Sequence, residues 1–178
     1  MLDDKYDVVR LVADQRLREY EFGDVLVARA GSRTRAVQAG VAGRLLEDSI
    51  ESVARELGLQ YSVRTRFVGR EGRDAPCDLA IPEGGSAALI VVAAKGFDST
   101  GSKLSDAVNE IKDMAEVRLP RQFVFAAVDG IGWKSRVKDL RRLRALFEQR
   151  AIDGIFCLRS LDQFRVALRD AASRVGLT

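Results

Sequence analysis

Eight consecutive residues, Ala87-Ala-Leu-Ile-Val-Val-Ala-Ala94, carry no polar side chain, and the run ends at a charge, Lys95. It falls far short of the ~20 apolar residues a membrane span needs. Its centre is β-branched and it does not alternate, so it is predicted as a strand covered on both faces. Such a strand needs helices above and below it, and the flanking sequence supplies them. Residues 41–57 place Val41, Leu45, Leu46, Ile50, Val53, Ala54 and Leu57 at helical spacing, and Gly58 stops them. Lys103–Leu119 does the same with Leu104, Ala107, Val108, Ile111, Met114 and Ala115, closed by Pro120.

Further strands are expected at Tyr61–Val68, which alternates, at Cys77–Ile81, stopped by Pro82, at Phe123–Val128 and at Ile155–Leu158. Glu83-Gly-Gly-Ser86 reads as a hairpin turn. Additional helices are expected over 3–21, from the Asp129–Trp133 loop to Gln149, and from about Ser160 to Arg174. The fold class is therefore α/β, more exactly an α+β mixed sheet with helices on both faces. The 178 residues suit one domain, with 1–40 as a helical and loop extension at its N-terminus.

Composition narrows the chemistry. The chain has no histidine, which removes Ser-His-Asp and Cys-His hydrolases, His-ligated zinc and His general bases. What remains is carboxylates, lysine, hydroxyls, two thiols, or a metal held by oxygen. Cys77 and Cys157 are far apart and neither belongs to a CxxC pair, so both are expected as reduced, packed thiols. The acidic start Met-Leu-Asp-Asp-Lys-Tyr-Asp is no signal peptide, and a cytoplasmic location follows as the expectation. The net charge of +3 divides unevenly: residues 1–25 hold seven acids against four bases, and residues 134–150 hold seven bases against two acids.

Asp78 lies on one expected strand and Lys95 ends the next, so both can converge at one edge of the sheet. An acid on one hairpin strand and an acid-x-Lys on the following one is a way to build a divalent-metal phosphodiesterase site. Glu47 in Gly43-Arg-Leu-Leu-Glu47, then Pro76-Cys-Asp78, then Val91-Val-Ala-Ala-Lys95 give the chain its resemblance. Over residues 41–158 it resembles the PD-(D/E)XK nuclease superfamily, and within it the type II restriction endonucleases. Asp98-Ser-Thr-Gly-Ser-Lys103 and Asp129-Gly-Ile-Gly-Trp133 are similar to stretches of small enzymes of that type.

The resemblance implies a restriction-endonuclease-like αβββαβ core and Mg²⁺-dependent hydrolysis of double-stranded DNA at a short site. It implies a homodimer serving restriction–modification. It assigns metal binding to Asp78 and the backbone carbonyl of Ala94, positioning of water to Lys95, and an outer-sphere or second-metal role to Glu47. Two departures stand against the pattern. Cys77 is inserted in the Pro-Asp pair, and Ala93 stands where an acid-x-Lys motif has its acid. Three readings of Ala93 stay open. In the first, an engineered change leaves an inactive or weakly active variant that binds DNA without cutting it well. In the second, the acid has moved to the following helix, as Glu110. In the third, the protein is a natural non-catalytic DNA-binding module. A structure-specific repair nuclease with the same core is the alternative among active enzymes.

DNA contacts need phosphate donors and base-edge readers. The hydroxyl-rich loop Ser99, Thr100, Ser102 with Lys103 suits phosphate oxygens, and Ser102 alternatively caps a helix. Trp133 can stack on DNA or pack under its loop, beside Lys134 and Arg136 as DNA-facing bases. Arg29, Arg33, Thr34 and Arg35 form a candidate recognition arm.

Overall fold

The computed structural model describes residues 44–96, 103–130, 132–133 and 136–178. The expected helix over 3–21, the extension to residue 40 and the 97–102 loop lie outside the described residues. Helix α1 covers 44–56. It is followed by β1 (Ser62–Val68), β2 (Asp74–Ile81), β3 (Ile90–Gly96), α2 (Lys103–Val117), β4 (Phe123–Asp129), α3 (Val137–Glu148), β5 (Gly154–Phe156) and α4 (Leu161–Arg174).

The strands form one mixed sheet in the order β1-β2-β3-β4-β5. β1, β2 and β3 pair antiparallel, and β3, β4 and β5 pair parallel. The apolar run lies at its centre: Ile90, Val91, Val92 and Ala93 are essentially inaccessible. Val91 and Ala93 face a core built with Ala107, Val108, Ile111 and Met114 of α2 and Leu143 of α3. Ile90, Val92 and Ala94 face a second core, built with Leu46, Ile50, Val53 and Ala54 of α1 and Phe164, Leu168, Ala171 and Ala172 of α4. The mixed α+β sheet with helices on both faces is thus present.

Three local expectations are corrected. Leu45, read as inward, is exposed, because the buried stripe of α1 runs through Leu46 and Ile50 instead. β2 begins at Asp74 rather than Cys77, since β1 pairs with it along most of its length. Glu83–Ser86 is not a tight hairpin turn. Gly85 donates to the Arg66 carbonyl (2.7 Å) and accepts from the Val68 amide (2.9 Å), so the loop is drawn onto β1. A Cβ on Gly84 would lie 2.4 Å from Thr65 Oγ1, so a side chain there would force Thr65 to shift.

The β1–β2 hairpin is bent back on itself. Ala75 and Cys77 join the α2-side core, whereas Leu79 and Ile81 join the α1-side core, so the two-residue alternation slips at Asp78. Across from Asp78, the regular pairing skips Arg64, whose φ of 48° is in the left-handed region. Beyond the bend, Gln122 fastens the hairpin tip. This buried amide donates to the carbonyls of Val68 (3.0 Å) and Ala88 (2.9 Å) and accepts from the Leu119 amide (2.7 Å). The bend puts Asp78 at an apex beside the C-terminal end of β3.

Phe164 is fully buried and meets Phe125 and Phe156 edge to face. Phe164→Ala should cost roughly 3–5 kcal/mol of stability by urea unfolding. Val166→Ala, on the exposed side of the same helix, should stay within about 0.5 kcal/mol. Equal losses at the two positions would contradict this packing.

Candidate active site

β3 loses its antiparallel partner after Val92, because β2 bends away at Asp78. The amide of Ala94 therefore has no β2 carbonyl to meet, and it donates instead to Asp78 Oδ2 at 2.7 Å. One residue later the chain reaches the first charge of the strand. Lys95 Nζ stands 3.3 Å from Asp78 Oδ2 and 2.7 Å from Glu110 Oε2 of α2. A single ammonium thus joins an acid from β2 to an acid from α2. The Lys95 and Asp78 side chains are about one-fifth exposed, and that of Glu110 nearly half.

Burial is the largest influence on Lys95 and pulls its pKa down. The Asp78 charge, together with the hydrogen bond and charge of Glu110, outweighs it and holds the pKa above the ordinary value. Lys95 is consequently an ammonium at neutral pH: it can donate hydrogen bonds and offset negative charge, but it cannot take up a proton there. Its backbone is fixed as well, since Trp133 Nε1 donates to the Lys95 carbonyl at 3.1 Å.

Ala93 shares the core face of β3 with Val91, belongs to the α2-side core and is 1% exposed. A carboxylate there would enter a closed apolar core, at a desolvation cost of several kcal/mol. The second acid at Lys95 comes from the helix.

Glu47 is committed elsewhere. Its Oε2 accepts from Arg64 Nη2 (2.7 Å) and Nε (3.1 Å). Arg64, Thr65, Arg66, Pro76, Cys77, Asp78 and Lys95 line a cleft of about 520 Å³. Arg64 and Arg66 at this cleft were readable only as the outer face of an alternating strand. The signal was there in the 64–66 Arg-Thr-Arg pattern, which hairpin pairing sets opposite Pro76-Cys-Asp78.

Cys77 is a packed thiol. Burial, and then the Asp78 charge, push its pKa up to about 12, so no thiolate is offered to the cleft. Trp133 is 5% exposed and packs into the α2-side core, as the packing alternative required, and its ring is not presented for stacking. Arg136 turns to Asp139 (3.4 Å) and to Ser105 Oγ (3.4 Å), a cluster that joins α3 to α2. Lys103 opens α2. Arg29, Arg33, Thr34, Arg35, Ser99, Thr100, Ser102 and Lys134 lie outside the described residues.

Two hard oxygen donors stand at the end of β3. Among the described residues, no group of three His, Cys, Asp or Glu side chains could hold a metal by itself. Asp78 and Glu110 are two hard oxygen donors, and the Ala94 carbonyl lies on the same strand end. Mg²⁺ suits so small a set, because it is ordinarily held by one or two carboxylates and completes its shell with water and substrate phosphate. A zinc or calcium cage would need more protein ligands.

Two measurements test the site. Because the folded pKa of Lys95 lies above its unfolded value, its stabilisation is in full force below 10.5 and is lost as the pH climbs through the raised value. The stability difference between the native chain and Lys95→Met should stay level from neutral pH to about 9 and shrink in more alkaline solution. A difference that collapses below pH 9 would contradict the clamp. Second, a thiol reagent at pH 8 should label Cys157 in the folded protein and reach Cys77 only after unfolding.

No protein-family model matches this chain, and no curated protein or solved structure matches it either. Among the described residues, no helix is long and apolar enough to cross a membrane.

Proposed function

We propose that the protein is a Mg²⁺-dependent nuclease that hydrolyses phosphodiester bonds of double-stranded DNA, with the acid missing at position 93 supplied by Glu110. The observation that carries this reading is the ammonium of Lys95 held between Asp78 and Glu110 at the open end of β3. A lysine flanked by two acids at the lip of a cleft with two arginines has the makings of a phosphoryl-transfer site. The order of elements around it, α1-β1-β2-β3-α2-β4, supports a PD-(D/E)XK core.

Asp78 and Glu110 hold the cation in this reading, with the Ala94 carbonyl as a further donor. When bound, Mg²⁺ supplies Lewis acidity toward a phosphoryl oxygen. Hydrolysis forms one P–O bond from water, whose proton passes to solvent, and breaks one in the backbone, whose leaving oxygen takes a proton from solvent. Lys95, protonated throughout, orients the water and offsets the charge that gathers on the phosphoryl oxygens. Trp133 keeps Lys95 in position through its carbonyl. The Asp78 carboxylate is aimed by the Ala94 amide.

The burial of Ala93 favours relocation of the acid over an acid lost from an otherwise intact motif. The type II assignment, recognition of a short sequence and a homodimer remain parts of the proposal. The 29–35 arm and the 99–102 loop are its candidate reading elements.

The chain as it stands should nick or cut plasmid DNA with Mg²⁺ and not with EDTA. Glu110→Gln, Asp78→Asn and Lys95→Met should each reduce the rate by roughly 100-fold or more. Ala93→Glu should lower the thermal midpoint without raising the rate. Unimpaired cleavage by Glu110→Gln, or a large gain from Ala93→Glu, would return the missing acid to position 93. Products from supercoiled plasmid, single strands and branched junctions distinguish a site-specific enzyme from a repair nuclease.

A further inference from the structure

We infer that the Arg64–Glu47 pair is an exchangeable phosphate site at the mouth of the cleft, in which a DNA backbone phosphate replaces the Glu47 carboxylate on the Arg64 guanidinium. This deepens the nuclease reading and rests on it for the identity of the ligand. Four observations meet at Arg64. It lines the same cleft as Asp78 and Lys95. It occupies the bend opposite Asp78, where the regular pairing of β1 with β2 is interrupted. Its φ of 48° is a conformation that arginine adopts at a cost and that asparagine or glycine adopts more readily. Its side chain is 63% exposed, although it is paired with Glu47.

A residue strained at a bend and still largely in water gives the fold little, because solvent screens an exposed ion pair and the ordering of its side chains offsets much of the remaining attraction. An unfavourable backbone held beside a site is instead a mark of function. The chemistry of the pair names its ligand. Both Nε and Nη2 converge on one oxygen of Glu47, the fork by which arginine also holds a phosphate oxygen. Arg66, which lines the same cleft, is likewise taken by an acid, Asp74. The cleft thus carries two guanidiniums, each occupied by an internal carboxylate that an incoming polyanion can replace. Phosphate binding then costs the release of Glu47, so the carboxylate discriminates against weak, isolated anions in favour of a continuous backbone.

Binding of a fluorescein-labelled DNA duplex in EDTA, across a salt series, tests this without any cleavage. Glu47→Gln removes the internal competitor and should tighten binding several-fold. Arg64→Asn should weaken binding by roughly threefold or more and reduce the slope of log K against log salt by about one. It should do so with an unchanged or higher thermal midpoint, because asparagine accepts the left-handed backbone. Glu47→Gln added to Arg64→Asn should then have no further effect. Any other pattern overturns the proposal: Glu47→Gln binding no tighter, Arg64→Asn binding unchanged, or Arg64→Asn losing thermal stability along with affinity. Failure of the nuclease reading would appear separately, as native protein that binds the duplex but leaves plasmid intact with Mg²⁺.

Discussion

The burial of β3 on both faces is the constraint from which the rest of the structure follows. A strand with no polar side chain from Ile90 to Ala94 cannot lie at a surface, so α2 and α3 close one face and α1 and α4 the other. Such a strand offers chemistry only where it leaves the core. Lys95 is that place. Its position makes its partners matter, because a mostly buried ammonium is stable only with acids at hand. β2 and α2 each supply one, and the site is therefore a consequence of how the central strand ends.

The bend in the β1–β2 hairpin makes that ending open rather than closed. Had β2 continued straight beside β3, the Ala94 amide would have bonded to a strand carbonyl and Asp78 would have alternated away. The slip at Asp78 frees the amide, and the carboxylate takes it. The same slip exposes one wall of β1 to the cleft. The hairpin tip, fastened by Gln122 and by the close approach of Gly69 to Val117, keeps the bend from relaxing. A glycine is required at 69 because a Cβ there would lie 2.0 Å from the Val117 carbonyl oxygen.

Most of the sheet and helices could be read from periodicity. The 3.6-residue stripe of α2 and the unbroken apolar run of β3 each leave one interpretation, since burial acts on every residue in them. The convergence of Asp78 with Lys95 was also legible, because two strands joined by a short connection must lie side by side. Position 93 was not. The sequence left open whether the acid was lost at 93 or had moved to Glu110 on the following helix, fifteen residues on, and only tertiary packing brings Glu110 to Lys95. The place of Arg64 was legible only in part: the pairing of 64–66 with 76–78 follows from the hairpin, whereas the break in alternation at Asp78 and the left-handed φ of Arg64 do not show in the sequence. The same limit made Glu83–Ser86 look like a tight turn, although its glycines serve an approach to Thr65 and Arg66. Trp133 stood between two roles because a loop tryptophan flanked by glycines suits either. Its indole N–H, taken by the Lys95 carbonyl, assigns it to support of the site.

The two acids on Lys95 also set the electrostatic character of the cleft. With Asp78 and Glu110 shared by one ammonium, the cluster at the end of β3 carries one net negative charge. Arg64 and Arg66 stand beside it, each neutralised by its own acid. A cleft balanced in this way does not hold stray anions strongly. In the proposed reading, a divalent cation on the two acids and the exchange of the arginines' carboxylates for phosphates would make it attractive to a polyanion. In that reading, cation and nucleic acid would each favour the binding of the other.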